Sequence, residues 1–376
     1  LLLASLALAA CGGGSSSGTP EAESLGGAQS VSQVSPLIAP PVVVVPPPIP
    51  GQPPITQAAA ATDADGKTEV GIGLYHLTYW DQSFAMVDVV RHAQFRGMDW
   101  SYEVGADTTG APTRDFRLVY SSIIVGAGTY KLKFKGQANV TGVTNKVYDV
   151  GTNTTTADYV LASNATGNQW IEFTNTRRTP VSTTADGVTE LQMFRPGYAT
   201  DGSAVFTSEF IQAMRKFHVI RTMDFVRVNL NPTENWSERT RINFLGDTDV
   251  KGQSWELMVL LANATGRDLW INVPVKANDQ YIDKLAKLIK YGSDGNEPYT
   301  TTQAQPKYPP LRSDLKVYVE YGNEIWNPGP GFSGFAWALE YANANRLNTS
   351  HPIAYDGPVT DQWTGVRRWV AYRSAT

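Results

Sequence analysis

Apolar and polar positions along this chain follow two different periods. Between residues 98 and 204 they alternate in short runs: FRLVYSSIIV, TYKLKFKG, KVYDV, DYVLAS, QWIEFTN and ELQMFRP, separated by clusters of Gly, Asn and Thr. Alternation with turn residues at this spacing predicts an antiparallel β-sandwich. In TYKLKFKG, Tyr130, Leu132 and Phe134 fall on one face, and Lys131, Lys133 and Lys135 on the other.

On either side of that stretch the period lengthens. EVGIGLYHLTYW (69–80) predicts a strand running into a loop. FAMVDVVRHAQF (84–95) places Phe84, Val87, Val90 and Ala93 at helical spacing and predicts a helix. After 205 the pattern predicts a helix over 208–217, capped by Thr207 or Ser208, and a strand in HVIRTMDF (218–225). A helix over 254–264, closed by Gly266, precedes a strand in DLWINVPV (268–275). A helix over 279–291 has Asp279 as its cap and Ile282, Leu285, Leu288 and Ile289 on one face. It is followed by a strand in LKVYVEYGNE (315–324) and helices near 333–346 and 361–374.

Strands alternating with helices imply a parallel sheet. Four β-α units are half of a (β/α)8 barrel. The fold expected is therefore α/β: a partial (β/α)8 TIM barrel of four units with an inserted antiparallel β-sandwich. Residues 67–97 form the first unit, 98–204 the sandwich and 205–376 units two to four, with the C-terminal half of the barrel expected outside these 376 residues.

The N-terminus has a different texture. Residues 1–11, LLLASLALAAC, form an apolar stretch too short to span a membrane, and Leu8-Ala9-Ala10-Cys11 looks like a bacterial lipobox. Cys11, the sole cysteine, is the expected lipid-attachment residue. Residues 12–66, rich in Gly, Ser, Pro and Ala, read as a tether. The expectation is a lipid-anchored protein of the bacterial cell envelope, at the outer membrane or cell surface, touching the membrane through the anchor alone.

Charge narrows the function. With 31 basic and 35 acidic side chains, the net charge is -4, and no basic patch invites nucleic acid. Four scattered histidines and one cysteine offer no metal-ligand spacing, so neither metal nor cofactor is expected.

The candidate chemistry lies in YVEYGNEIWN (318–327). In a (β/α)8 barrel the functional residues sit at the C-terminal ends of the strands. Read as the last residue of the fourth strand, Glu324 shares a face with residues 318, 320 and 322 and points toward the barrel axis. Asn323 stands beside it, and Trp326 offers a ring to a sugar face. Asp224 and Asn272, near the ends of the second and third strands, are candidates for substrate hydroxyls or, equally, for satisfying loop backbone. Glu320, one layer below, reads as a structural carboxylate paired with Arg221 or Arg227. Trp236 reads as packing. Trp100 and Trp170 either bind glycan or merely belong to a brace, and the brace is preferred.

The Asn-Glu pair resembles the fourth-strand signature of the clan A glycoside hydrolases, the retaining (β/α)8 glycosidases. KFHVIRTMDF (216–225) is similar to that clan's second strand. The resemblance implies that Glu324 is the general acid/base, that Asn323 binds the sugar 2-hydroxyl, and that Arg221, with Arg227 a weaker candidate, supports the nucleophile. The clan's nucleophile is a Glu on a seventh strand, which this sequence lacks. These residues alone are thus expected to be inactive, and the full-length protein to hydrolyse O-glycosidic bonds of a polysaccharide or oligosaccharide. The alternative is a non-catalytic carbohydrate-binding or adhesion lipoprotein on the same scaffold.

Overall fold

The computed structural model describes residues 70–80, 83–121, 126–245 and 251–376. The lipobox with Cys11 and the tether lie outside the described residues. No helix among the described residues is long and apolar enough to cross a membrane.

Three four-stranded sheets make up a mixed α/β body. The first is wholly parallel: β1 (Gly71–Gly73), β10 (Val219–Arg221), β11 (Asp268–Val273) and β12 (Val317–Tyr321) lie side by side in that order. The other two are antiparallel. One has the order β2 (Gln94–Gly97), β3 (Phe116–Ser121), β8 (Asn168–Arg177), β5 (Gln137–Val140). The other has β6 (Val143–Asp149), β7 (Thr154–Leu161), β4 (Gly128–Lys135), β9 (Thr189–Phe194).

The sandwich follows its alternation. Tyr130, Leu132 and Phe134 of β4 are at most 1% exposed and face Phe116, Leu118, Ile171 and Phe173 of the opposing sheet in one apolar cluster. Phe173 stacks on Phe116 and meets Phe134 edge-on.

Helices cover one face of the parallel sheet: α1 (Ser208–Met214), α2 (Trp255–Thr265) and α3 (Asp279–Tyr291). Ile220, Leu269, Ile271 and Val273 pack there with Phe210, Leu257, Leu261, Leu285 and Leu288. Thr207 caps α1 and Ser254 caps α2, each accepting a backbone N–H, and Gly266 closes α2 in the left-handed conformation. Asn278, not Asp279, caps α3. Asp279 stands in the first turn and pairs with Arg373 at 2.6 Å. Two further helices, α4 (Ser333–Asn345) and α5 (Gln362–Ala375), pack on each other and on Val275 and Ile325.

The largest departure from the sequence expectation is 84–95, which is not an α-helix. Ala85–Val87 run extended and buried between the two bodies. Val87 donates to Val205 and accepts from Arg195, while Thr207 donates to the Ala85 carbonyl. Asp88 then caps a single 3-10 turn, Val89–Arg91, and Gln94 already begins β2. Burial on all sides, not one amphipathic face, produced the apolar spacing. The backbone bonds that a helix would satisfy internally go to neighbouring segments instead.

Candidate functional site

In register, Gly73, Arg221, Trp270 and Tyr318 form one row across the parallel sheet, and Asn272 and Glu320 stand in the next row toward the C-terminal ends. This is the face opposite the helices. Polar side chains there must find partners or water, and most of their atoms find each other, while Arg221 Nε and Asn272 Oδ1 stay buried without a hydrogen-bond partner. One carboxylate oxygen of Glu320 accepts from Arg221 Nη2 at 2.7 Å, Trp270 Nε1 at 3.0 Å and Asn272 Nδ2 at 2.7 Å. The Arg221 guanidinium lies 5.0 Å from the Trp270 ring centroid. Asn272, fully buried, also donates to the Gly322 carbonyl.

The network reaches the loops above. Arg221 donates to Asn323 Oδ1 at 2.9 Å, and Asn323 donates to Asn229 Oδ1 at 3.0 Å. Asn323 is therefore held from both ends of its amide. Beyond Asn229, Arg227 donates to His76 Nδ1 at 3.2 Å and lies 4.0 Å from Asp224. His76, buried after β1, packs its ring 4.2 Å from that of Tyr75.

Glu324 is not the last residue of a strand. β12 ends at Tyr321, and the alternation that would align 318, 320, 322 and 324 stops there. Gly322 turns the chain with φ 66°, where a Cβ would meet Ile325 Cδ1 at 2.6 Å and Val275 Cγ2 at 2.8 Å. Glu324 itself has φ 43°, a left-handed conformation that costs a residue with a Cβ roughly 1–3 kcal/mol. Buried Ile325 anchors the far side of this turn. The half-buried Glu324 carboxylate accepts from Asn327 Nδ2 at 3.3 Å, and Trp326 stands 68% exposed. Arg227, across the mouth, has φ 53° as well.

The structure thus joins Arg221, Asn272 and Asn323 in one network. It places Asp224 on its margin through Arg227, and leaves Glu324 and Trp326 on the adjoining turn. Trp236 is 2% exposed, packed against Tyr281 and Arg239, as read from the sequence. Glu320 pairs with Arg221, as read from the sequence; the sequence reading missed the parts played by Trp270, Asn229 and His76. Period-two spacing did place Glu320 on the same face as Tyr318. Nothing local announced Asn229 or His76, which arrive from different loops. Among the described residues, no group of three His, Cys, Asp or Glu is placed to hold a metal ion.

No family model, curated protein or solved structure matches this chain.

Proposed function

We propose that this chain carries the acid/base half of a glycoside hydrolase-like site, built on part of a (β/α)8 barrel. The observation behind this reading is the convergence, at the C-terminal ends of four parallel strands in sequential order, of amide, indole, guanidinium and carboxylate groups beside a strained Glu324. Such a mixture suits a ligand made of hydroxyls and C–H faces. β12 pairs with β11 alone among the described residues, and its other edge is open to a further strand.

In this reading Glu324 protonates the departing glycosidic oxygen. Asn323, held by Arg221 and Asn229, presents its amide to a sugar hydroxyl. Trp326 lies against a sugar ring. A second carboxylate, supplied from outside these four strands and about 5–5.5 Å from that of Glu324, attacks the anomeric carbon as the leaving group departs, and water deprotonated by Glu324 then displaces the sugar from it. The proposed substrate is a polysaccharide or oligosaccharide, and hydrolysis by a carboxylate pair uses no cofactor. Lipid attachment at Cys11 would hold the body at the cell envelope, and Cys11→Ala would then release the protein from the membrane fraction.

The decisive experiment is Glu324→Gln in the full-length protein, assayed by reducing-end release from a panel of glycans. A loss of about 10²–10⁴-fold is expected. Unchanged hydrolysis sinks the assignment. Glycan binding by the wild type without any hydrolysis favours the second reading, a carbohydrate-binding or adhesion protein using the same groups.

A further inference from the structure

The outer face of the sandwich sheet β2-β3-β8-β5 carries an aromatic shelf that covers Val119 and is otherwise open to solvent. Two cross-strand rows build it. Arg96, Arg117 and Glu172 are in register, as are Gln94, Val119 and Trp170. Trp100, from the turn after β2, meets Trp170 edge-on at 5.2 Å and 80°. Each of these indoles is 47% exposed, and Tyr102 beside them is 72% exposed.

The shelf is fixed from below. The Arg117 guanidinium sits 4.5 Å from the Trp100 ring centroid and is itself held by Glu172 at 2.9 Å and by the Met98 carbonyl. Arg96 lies 3.3 Å from the Tyr102 centroid and donates to Gln94 at 3.1 Å. Trp100 also has φ 68°. Asn145, Asn153 and Asn175 take such angles at little cost, but an indole does not. The angle belongs to a tight turn, in which the Trp100 N–H donates to the Gly97 carbonyl and the Gly97 N–H to the Ser101 carbonyl, both at 2.9 Å.

We infer that this shelf is a second glycan-binding site, stacking the C–H faces of pyranose rings against Trp100, Trp170 and Tyr102. Gln94, Arg96 and Glu172 serve the hydroxyls. Two rings nearly at right angles, rimmed by charged groups already paired, match a ligand with apolar faces and polar edges. Three half-exposed rings offer roughly 300 Å². A stable protein partner needs roughly 800 Å² on each side. The inference rests on the sandwich face alone and stands or falls separately from hydrolysis at Glu324.

Affinity electrophoresis of the full-length protein tests it, in native gels containing soluble xyloglucan, arabinoxylan, galactomannan, mixed-linkage glucan, α-glucan or alginate. The wild type is expected to be retarded by at least one of these. Trp100→Ala and Trp170→Ala should each weaken that retardation by about tenfold, and Val160→Ala, at an exposed position on the other sheet of the sandwich, should leave it intact. Trp100→Gly relieves the strained angle, so it should keep or raise the thermal midpoint while losing retardation. The inference is overturned by a wild type that no polysaccharide retards, or by retardation that survives both tryptophan changes. It is overturned equally by a Trp100→Gly protein that melts earlier yet still binds, or by a loss of binding in Val160→Ala as large as in the tryptophan variants.

Discussion

The sandwich and the parallel sheet use their faces in opposite ways. In the sandwich both inner faces are apolar: Phe116, Leu118, Tyr130, Leu132, Phe134, Ile171 and Phe173 close on one another, and charged residues stay outside. In the parallel sheet only the helix-covered face is apolar. The other holds Arg221, Trp270, Asn272 and Glu320, tied into a network that continues to Asn323 and Asn229. An apolar interior is secured by burial and needs no particular partner. A polar face is tolerable only where its groups find partners, so its geometry depends on specific atoms, and here Arg221 Nε and Asn272 Oδ1 are left buried and unmatched. That requirement makes the parallel sheet the more exacting body and the sandwich the more robust one.

This contrast breaks most visibly under substitution. Phe173→Ala removes a fully buried ring that touches both sheets. It should cost about 3–5 kcal/mol in urea denaturation. If it costs no more than a surface change, the sandwich core is not what holds that body together.

Glu320→Ala should cost less, about 1–2 kcal/mol, because the Arg221 and Glu320 side chains are 25% and 32% exposed and water partly replaces the lost partner. Its signature is non-additivity. Combined with Arg221→Met, the loss should be smaller than the sum of the two single changes. Simple additivity would mean that the network is not coupled.

At the seam between the two bodies, Asp88 accepts from the backbone N–H groups of Val90 and Met193. Burial pushes its pKa up from 3.8 to about 6, against the opposing pull of Arg91. A carboxyl raised in the folded state binds its proton more tightly there than in the unfolded chain. The stability it contributes is therefore full below pH 3.8 and is lost as the pH rises through about 6. Asp88→Asn keeps an acceptor oxygen and should flatten that decline, gaining roughly 1 kcal/mol at pH 7 relative to the wild type. Thermal midpoints measured from pH 4 to pH 7 decide it; parallel curves for the two proteins would refute the assignment.

The smallest effect sharpens the comparison at the site itself. Glu324→Gly releases the left-handed strain at φ 43° and should stabilise the fold by up to about 1 kcal/mol while abolishing hydrolysis. A destabilised Glu324→Gly protein would show that the side chain is there to hold the turn.

Much of this architecture was legible from local pattern. Alternation marked the sandwich strands, since in a half-buried strand the side-chain period alone separates core from solvent. The α3 helix runs Asp279–Tyr291, as its spacing predicts, with Leu285 and Leu288 buried. The four parallel segments emerged as short apolar runs between helices. Where local pattern failed, tertiary partners had replaced local ones. Residues 84–95 carried helical spacing but give their hydrogen bonds to Val205, Arg195 and Thr207. Asn278 took the cap expected of Asp279.

By itself, then, the sequence determined most of the strands and their kind, β2 and β5 excepted, and that Glu320 and Tyr318 share a face, because these follow from side-chain period and capping within a few residues. Only the tertiary structure decided that Glu320 gathers three donors, that Asn323 is gripped by Arg221 and Asn229, and that Gly322 turns Glu324 off the strand. Those arrangements depend on groups about fifty to a hundred residues apart meeting at hydrogen-bond distance, and no local pattern encodes which distant amide or guanidinium will arrive.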